Sequence, residues 1–189
     1  MKTGLFFGSF NPVHNGHIEI ATFILKNSDL DEIWFVVSPE NPWKSGQKKP
    51  TSEIRLKMVE LAIHNRPGLK ATNFEEKLPK PSYTYKSLLY LKKKHPANKF
   101  VLLIGGDNLE DFTKWKNYDK ILADFEVWAY PRNKKNDADT TLNIKQIEAP
   151  LLDFSSTEIR NEIIHNNLKD NRVDNKVLNF IIQNKLYQS

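Results

Sequence analysis

The chain has 189 residues and no cysteine, which excludes disulfides, zinc–thiolate sites and thiol nucleophiles. Hydrophobic residues make up 39% and charged residues 27%, the balance of a globular rather than a disordered chain. Against 23 Asp and Glu, 28 Lys and Arg leave a net charge of +5, which suits phosphate-rich small substrates or nucleic acid without choosing between them.

Apolar strands and amphipathic helices are predicted in alternation. Residues 3–7 (TGLFF) read as a short buried strand, 8–15 are turn-rich, and 16–27 place Ile18, Ala21 and Leu25 at helical spacing. The apolar start is too short for a signal sequence and is broken by Gly8, Asn11 and Pro12. Residues 33–37 (IWFVV) are a second strand, 38–50 a polar loop with three prolines, and 51–65 a helix with Leu56, Val59 and Ile63 on one face. A weaker strand over 69–74 precedes a helix over 82–94, where Lys92, Lys93 and Lys94 solvate the C-terminal end. Residues 100–104 (FVLLI) form the clearest central strand and run into Gly105-Gly106-Asp107. A short helix over 117–122, a strand over 126–130 (EVWAY), a polar loop over 133–141 and a strand over 144–148 follow. Helices over 155–165 and 174–185 close the chain.

Unbroken apolar strands separated by helices predict a doubly wound, Rossmann-like α/β fold, a parallel sheet with helices on both faces. The length predicts a single domain, with a small helical C-terminal part from about residue 155 to 189. No apolar run is long enough to span a membrane, so a cytoplasmic address without a membrane partner is expected. Ligands of such sheets sit beyond the carboxyl ends of the strands. That directs attention to residues 8–17, 38–49, 105–108 and 149–157.

The first of these holds Gly8, Ser9 and Phe10, then His14 and His17 three residues apart. Gly8 allows a tight turn and close ligand approach. A helix starting near Asn15 or Gly16 would carry both imidazoles at its N-terminal end, where backbone N–H groups and the helix dipole attract an anion. Two histidines at this spacing can also be ordinary packing residues or a metal pair, but no third ligand is evident. The GxGxxG and GxxxxGK[ST] patterns are absent, which disfavours dehydrogenase and P-loop readings. Further along, Ser155 and Glu158 fit a capping box. A cap accounts for those two but not for Ser156, Thr157 or Arg160, which would suit a pyrophosphate.

The segment Gly8 to His17 resembles the HxGH signature of the nucleotidylyltransferase superfamily, close to GGTFDPxHxGH. Phe7 stands in place of a glycine and Asn11 in place of the aspartate. The FSSTEIR segment, residues 154–160, resembles the second signature, ISSTxIR. PSYT at residues 81–84 and Trp115 resemble the bacterial nicotinate-nucleotide adenylyltransferases, as does the NKLY ending at residues 184–187. The resemblance implies ATP binding by Gly8, Ser9, Phe10, His14, His17, Gly105, Asp107, Ser155, Ser156, Thr157 and Arg160, with His14 and His17 catalytic. It implies mononucleotide binding by Lys44, Tyr83, Thr84 and Trp115, with Thr84 on the nicotinate carboxylate and Trp115 stacked on the ring. Trp43 replaces the histidine of the usual PPHK segment.

The implied activity is adenylyl transfer from ATP to nicotinate mononucleotide, giving nicotinate adenine dinucleotide and pyrophosphate in NAD synthesis. Mg²⁺ would be carried mainly by ATP, and a homodimer is compatible with this reading. Nicotinamide-mononucleotide or phosphopantetheine adenylyltransferase is the nearest rival. A basic single-stranded nucleic-acid binder is a rival of another class, disfavoured because the lysines are scattered rather than interleaved with aromatics.

Overall fold

The computed structural model describes residues 1–39, 50–131, 142–151, 154–169 and 171–188. Among these residues the strands are β1 (Lys2–Gly8), β2 (Glu32–Val37), β3 (Leu69–Thr72), β4 (Lys99–Gly105), β5 (Glu126–Tyr130) and β6 (Lys145–Gln146). They form one sheet in the order β3-β2-β1-β4-β5-β6, and every neighbouring pair is parallel. The helices are α1 (Asn15–Lys26), α2 (Ser52–Ala62), α3 (Thr84–Lys94), α4 (Gly106–Leu109), α5 (Tyr118–Asp124), α6 (Ser156–Ile164) and α7 (Asn175–Gln183). This is the doubly wound, Rossmann-like α/β fold that the alternation predicts.

Both faces of the sheet are covered, which is why its strands read as continuous apolar runs. Val101 and Leu103 of β4 and Trp128 and Tyr130 of β5 join Phe6 and Phe35 under α1 and α2. The alternate residues Phe100, Leu102 and Ile104, with Val127 and Ala129, join Leu5 under α3 and α5. Strand order reverses between β1 and β4, so the crevice of the switch point opens beyond Gly8 and Gly105.

Local differences from the predicted elements have local causes. β3 stops at Thr72, because Asn73 leaves the extended region and Phe74–Lys77 tightens into a 3-10 turn. β6 has two residues, both exposed, and the apolar Ile144 and Ile147 that flank it pack against the two cores outside the strand. The buried face of α2 is Ser52, Arg55, Met58, Val59 and Ala62, with Leu56 at its margin. The predicted stripe is therefore rotated towards an arginine. The short turns Gly106–Leu109 and Phe112–Lys114 show no period to read. Most of the two predicted polar loops, 40–49 and 132–141, lies outside the described residues.

The C-terminal helices belong to the first of these cores. Ile159 of α6 and Val177 and Ile181 of α7 cluster with Phe6, Val101 and Val173. Ile159 is the one fully buried side chain of α6 among the described residues, so it holds that helix in place. Ile159→Ala should cost about 2–5 kcal/mol of stability in urea denaturation. A loss under about 1 kcal/mol would mean that α6 is not held there.

Candidate active site

β1 ends at Gly8, and the ring of Phe10 folds back over it. A Cβ at Gly8 would lie 2.8 Å from that ring, so only glycine fits. Phe10 has φ 44°, a left-handed conformation that costs a side-chain-bearing residue roughly 1–3 kcal/mol. Burial of its ring, 1% exposed and edge-on to Phe6 at 5.7 Å, offsets that cost.

His14 is the N-cap of α1 and has an extended backbone. Its N–H donates to Nδ1 of His17 at 3.3 Å, and the two rings lie 3.6 Å apart. With Nδ1 accepting there, Nε2, on the far side of the ring, is the His17 nitrogen able to donate. His14 is buried with Phe154 edge-on at 5.2 Å. His17 is half-buried, edge-on to Phe10 at 5.1 Å. No acidic residue lies in the first turn of α1, so the positive end of the helix is not neutralised from within.

The second signature packs directly on the first. Ser155 caps α6: the Glu158 N–H donates to its Oγ at 3.3 Å, and its own N–H donates to Glu158 Oε2 at 2.6 Å. Ser156 Oγ donates to the Pro12 carbonyl at 2.9 Å, across 144 residues of sequence. Arg160 Nη1 donates to the Asn11 carbonyl at 2.8 Å and Nη2 to Thr157 Oγ1 at 3.2 Å. The two motifs predicted to share a ligand thus share one wall.

Gly105 ends β4 beside β1, and Asp107 lies exposed in the first turn of α4. Tyr83, Thr84 and Trp115 lie with α3 and the 112–114 turn, on the other face of the sheet. Tyr83 is the N-cap of α3, with Lys116 Nζ 4.5 Å above its ring. This contact brings the PSYT segment and the Trp115 segment together. Trp115 is half-buried and leans on Phe112 at 5.3 Å. Lys44 and Trp43 lie outside the described residues.

A polar chain crosses between the two groups. The Ser38 N–H donates to the Gly8 carbonyl at 3.0 Å. The Ser38 side chain bonds to Glu75, which also accepts from Ser87 Oγ at 2.5 Å, one turn into α3. Glu75 is 3% exposed, and burial pushes its carboxyl above the ordinary carboxylate range.

Two further residues, outside both signatures, hold the histidine loop. Tyr187 Oη donates to Asn11 Oδ1 at 2.6 Å. Burial pushes the Tyr187 hydroxyl well above its usual range, against the pull of Arg160 and Arg55. Arg55 donates to the Ser9 carbonyl. Tyr187 lies in the NKLY ending, which hinted at a role; Arg55 carried no signal beyond its place in a helix.

Residues 5–162 match the family model described as cytidylyltransferase-like. A Cytophaga hutchinsonii protein named "Probable nicotinate-nucleotide adenylyltransferase" is 42% identical over 191 residues, covering 100% of both chains. Proteins of the same name from Flavobacterium johnsoniae and Bacillus pumilus are 40% and 35% identical over 192 and 188 residues, each covering 100% of this chain. They are covered over 100% and 99% of their own lengths. The chain belongs to the nicotinate-nucleotide adenylyltransferase family. The fold agrees: a Plasmodium falciparum nicotinic acid mononucleotide adenylyltransferase solved with NaAD superposes with a TM-score of 0.80, over 98% of this chain and 97% of that one, at 19% identity.

Within this nicotinate-nucleotide adenylyltransferase fold, Glu75 makes a pH-dependent contribution. Its pKa is raised from 4.5, so the folded state favours the protonated carboxyl. Its stabilising effect is complete below the unfolded value and is lost as pH rises through the folded one. Glu75→Gln keeps an acceptor for both hydroxyls without the charge. The melting temperature of the variant should gain on that of the wild type as pH is raised from about 4.5 to about 8. A gap that shrinks or reverses over that range would contradict the assignment.

Proposed function

We propose that this protein transfers the adenylyl group of ATP to nicotinate mononucleotide in the crevice between the starts of α1 and α6, releasing pyrophosphate. The observation that carries this reading is the docking of Ser156 and Arg160 onto the loop that delivers His14 and His17. One triphosphate can meet both sets of donors.

The reaction is an in-line displacement. A phosphate oxygen of the mononucleotide attacks the α-phosphorus, the bond to the α–β bridging oxygen breaks, and pyrophosphate leaves with the electron pair. The protein forms no covalent intermediate; it supplies position and charge stabilisation. His17 donates from Nε2 to the α-phosphate, and His14 supports it at the helix start. The backbone at Gly8, Ser9 and Phe10 lines the phosphate path. The first N–H groups of α6, at Ser156 and Thr157, have no partner within the helix and suit the β- and γ-phosphates. Arg160 adds charge, and Ser155 acts through the cap that fixes this helix start. Gly105 leaves room for the nucleoside, and Asp107 accepts from its ribose hydroxyls.

On the acceptor side, Thr84 binds the nicotinate carboxylate through its hydroxyl and N–H. Trp115 stacks on the pyridine ring, beside Tyr83. The donors on the ATP side are imidazole, hydroxyl and guanidinium groups, which suit phosphate oxygens rather than a bare dication. Among the described residues no group of three or more His, Asp or Glu is placed to hold a metal. Mg²⁺ would arrive with ATP and neutralise charge on the polyphosphate.

His17→Ala should lower turnover on the order of 100-fold or more while the far-UV spectrum stays unchanged; near-normal turnover would refute its role. The acid should also be preferred over the amide. In coupled pyrophosphate-release assays, kcat/KM for nicotinate mononucleotide should exceed that for nicotinamide mononucleotide by about tenfold or more, since a carboxylate accepts both Thr84 donors where an amide accepts with one oxygen. Equal values would remove that preference.

A further inference from the structure

Arg55 lies at the centre of the buried face of α2 and is 0% exposed. Its hydrogen bonds among the described residues all go to backbone carbonyls, from three separate stretches of chain. Nη1 donates to Ser9 at 2.5 Å, Nη2 to Pro39 at 3.1 Å and Nε to Pro50 at 3.0 Å. Burial lowers its pKa from the usual arginine range, and the charged or titratable groups acting on it are Glu76 and Tyr187. An apolar side chain would fill this position without desolvating a charge. The planar fork of a guanidinium, however, is suited to meeting three acceptors in fixed directions.

The Ser9 contact matters most. Across a trans peptide the carbonyl of one residue and the N–H of the next point in opposite directions. With its carbonyl held by Arg55, the Ser9–Phe10 peptide directs the Phe10 N–H away from α2. The same peptide sets the φ of Phe10, which is 44°. Rotating that peptide by half a turn would carry φ to roughly −140°, the relaxed extended region, with little movement of the Phe10 ring. The backbone thus has a local reason to turn over, and the bond from Arg55 opposes it.

We propose that Arg55 is a positioning residue, which holds the Ser9–Phe10 peptide in its less favoured orientation so that the turn into His14 and His17 keeps its backbone donors aimed at the nucleotide. Arg55 acts through Ser9 and does not touch substrate. By its bonds to Pro39 and Pro50 it also ties this turn to the segments that leave β2 and enter α2. The inference rests on the reading of residues 8–17 as the nucleotide site.

The test is Arg55→Lys, which keeps a charge but cannot span three carbonyls, assayed beside His17→Ala. Turnover is expressed per folded molecule, with near-UV circular dichroism as the measure of folding. Arg55→Lys should lose at least about tenfold in kcat and weaken the KM for ATP, while the KM for the mononucleotide stays within about twofold. A merely structural arginine would lower the melting temperature and leave those constants in place, which would overturn the proposal. If the lysine variant does not fold, the wild type still decides. The side-chain Nε–H resonance of Arg55 and the backbone resonance of Phe10 should both shift when a non-hydrolysable ATP analogue is added. If both stay put, the proposal falls. Normal turnover in His17→Ala would overturn the nucleotide site itself, and the role of Arg55 with it. An inactive His17→Ala beside a normal Arg55→Lys would overturn the role of Arg55 alone.

Discussion

The carbonyls of Ser9, Asn11 and Pro12 are each taken by a side chain remote in sequence: Arg55, Arg160 and Ser156. The site depends on this arrangement. A loop that follows a strand and opens a helix has many conformations, and local hydrogen bonds cannot select among them. Here three donors from α2 and α6 select one. Each such bond contributes about 1 kcal/mol net, and those from guanidinium somewhat more. Their larger effect is on shape. They hold the carbonyls against the protein body and fix the loop that leads to the imidazoles.

The sheet serves this loop in turn. Gly8 and Gly105 end adjacent strands at the point where strand order reverses, so the loop that follows β1 and the start of α4 flank one crevice. Helices α1, α6 and α7 share one face, and α3 and α5 the other. The groups assigned to ATP and those assigned to the mononucleotide therefore come mainly from opposite sides of the sheet. The polar run from Gly8 through Ser38 and Glu75 to Ser87 spans the gap.

Much of this was legible beforehand, because period and local chemistry carry the information. FVLLI is unbroken because it is buried on both sides, and SSTE announces its own helix start. The glycine at the end of β1 was legible too, since the turn demands one. Residues whose partners lie far away in sequence were not. Nothing near Arg55 marks it for the interior; its burial follows from three carbonyls that only the folded chain brings together. The apolar period of this helix accordingly points one position away, to Leu56. Tyr187 is similar, because its hydroxyl reaches Asn11 across 176 residues. Short turns such as Phe112–Lys114 escape for another reason, being shorter than the repeat by which helices are recognised.

The tether from Tyr187 to Asn11 bears on how the protein is made. Synthesis proceeds from the first residue, and the last strand is complete at Gln146. The anchors at Ser156, Arg160 and Tyr187 emerge only afterwards. A nascent chain therefore cannot hold the imidazole loop in working order until the ribosome has delivered the segment that braces it from behind, and that same segment completes the core through Ile159, Val177 and Ile181.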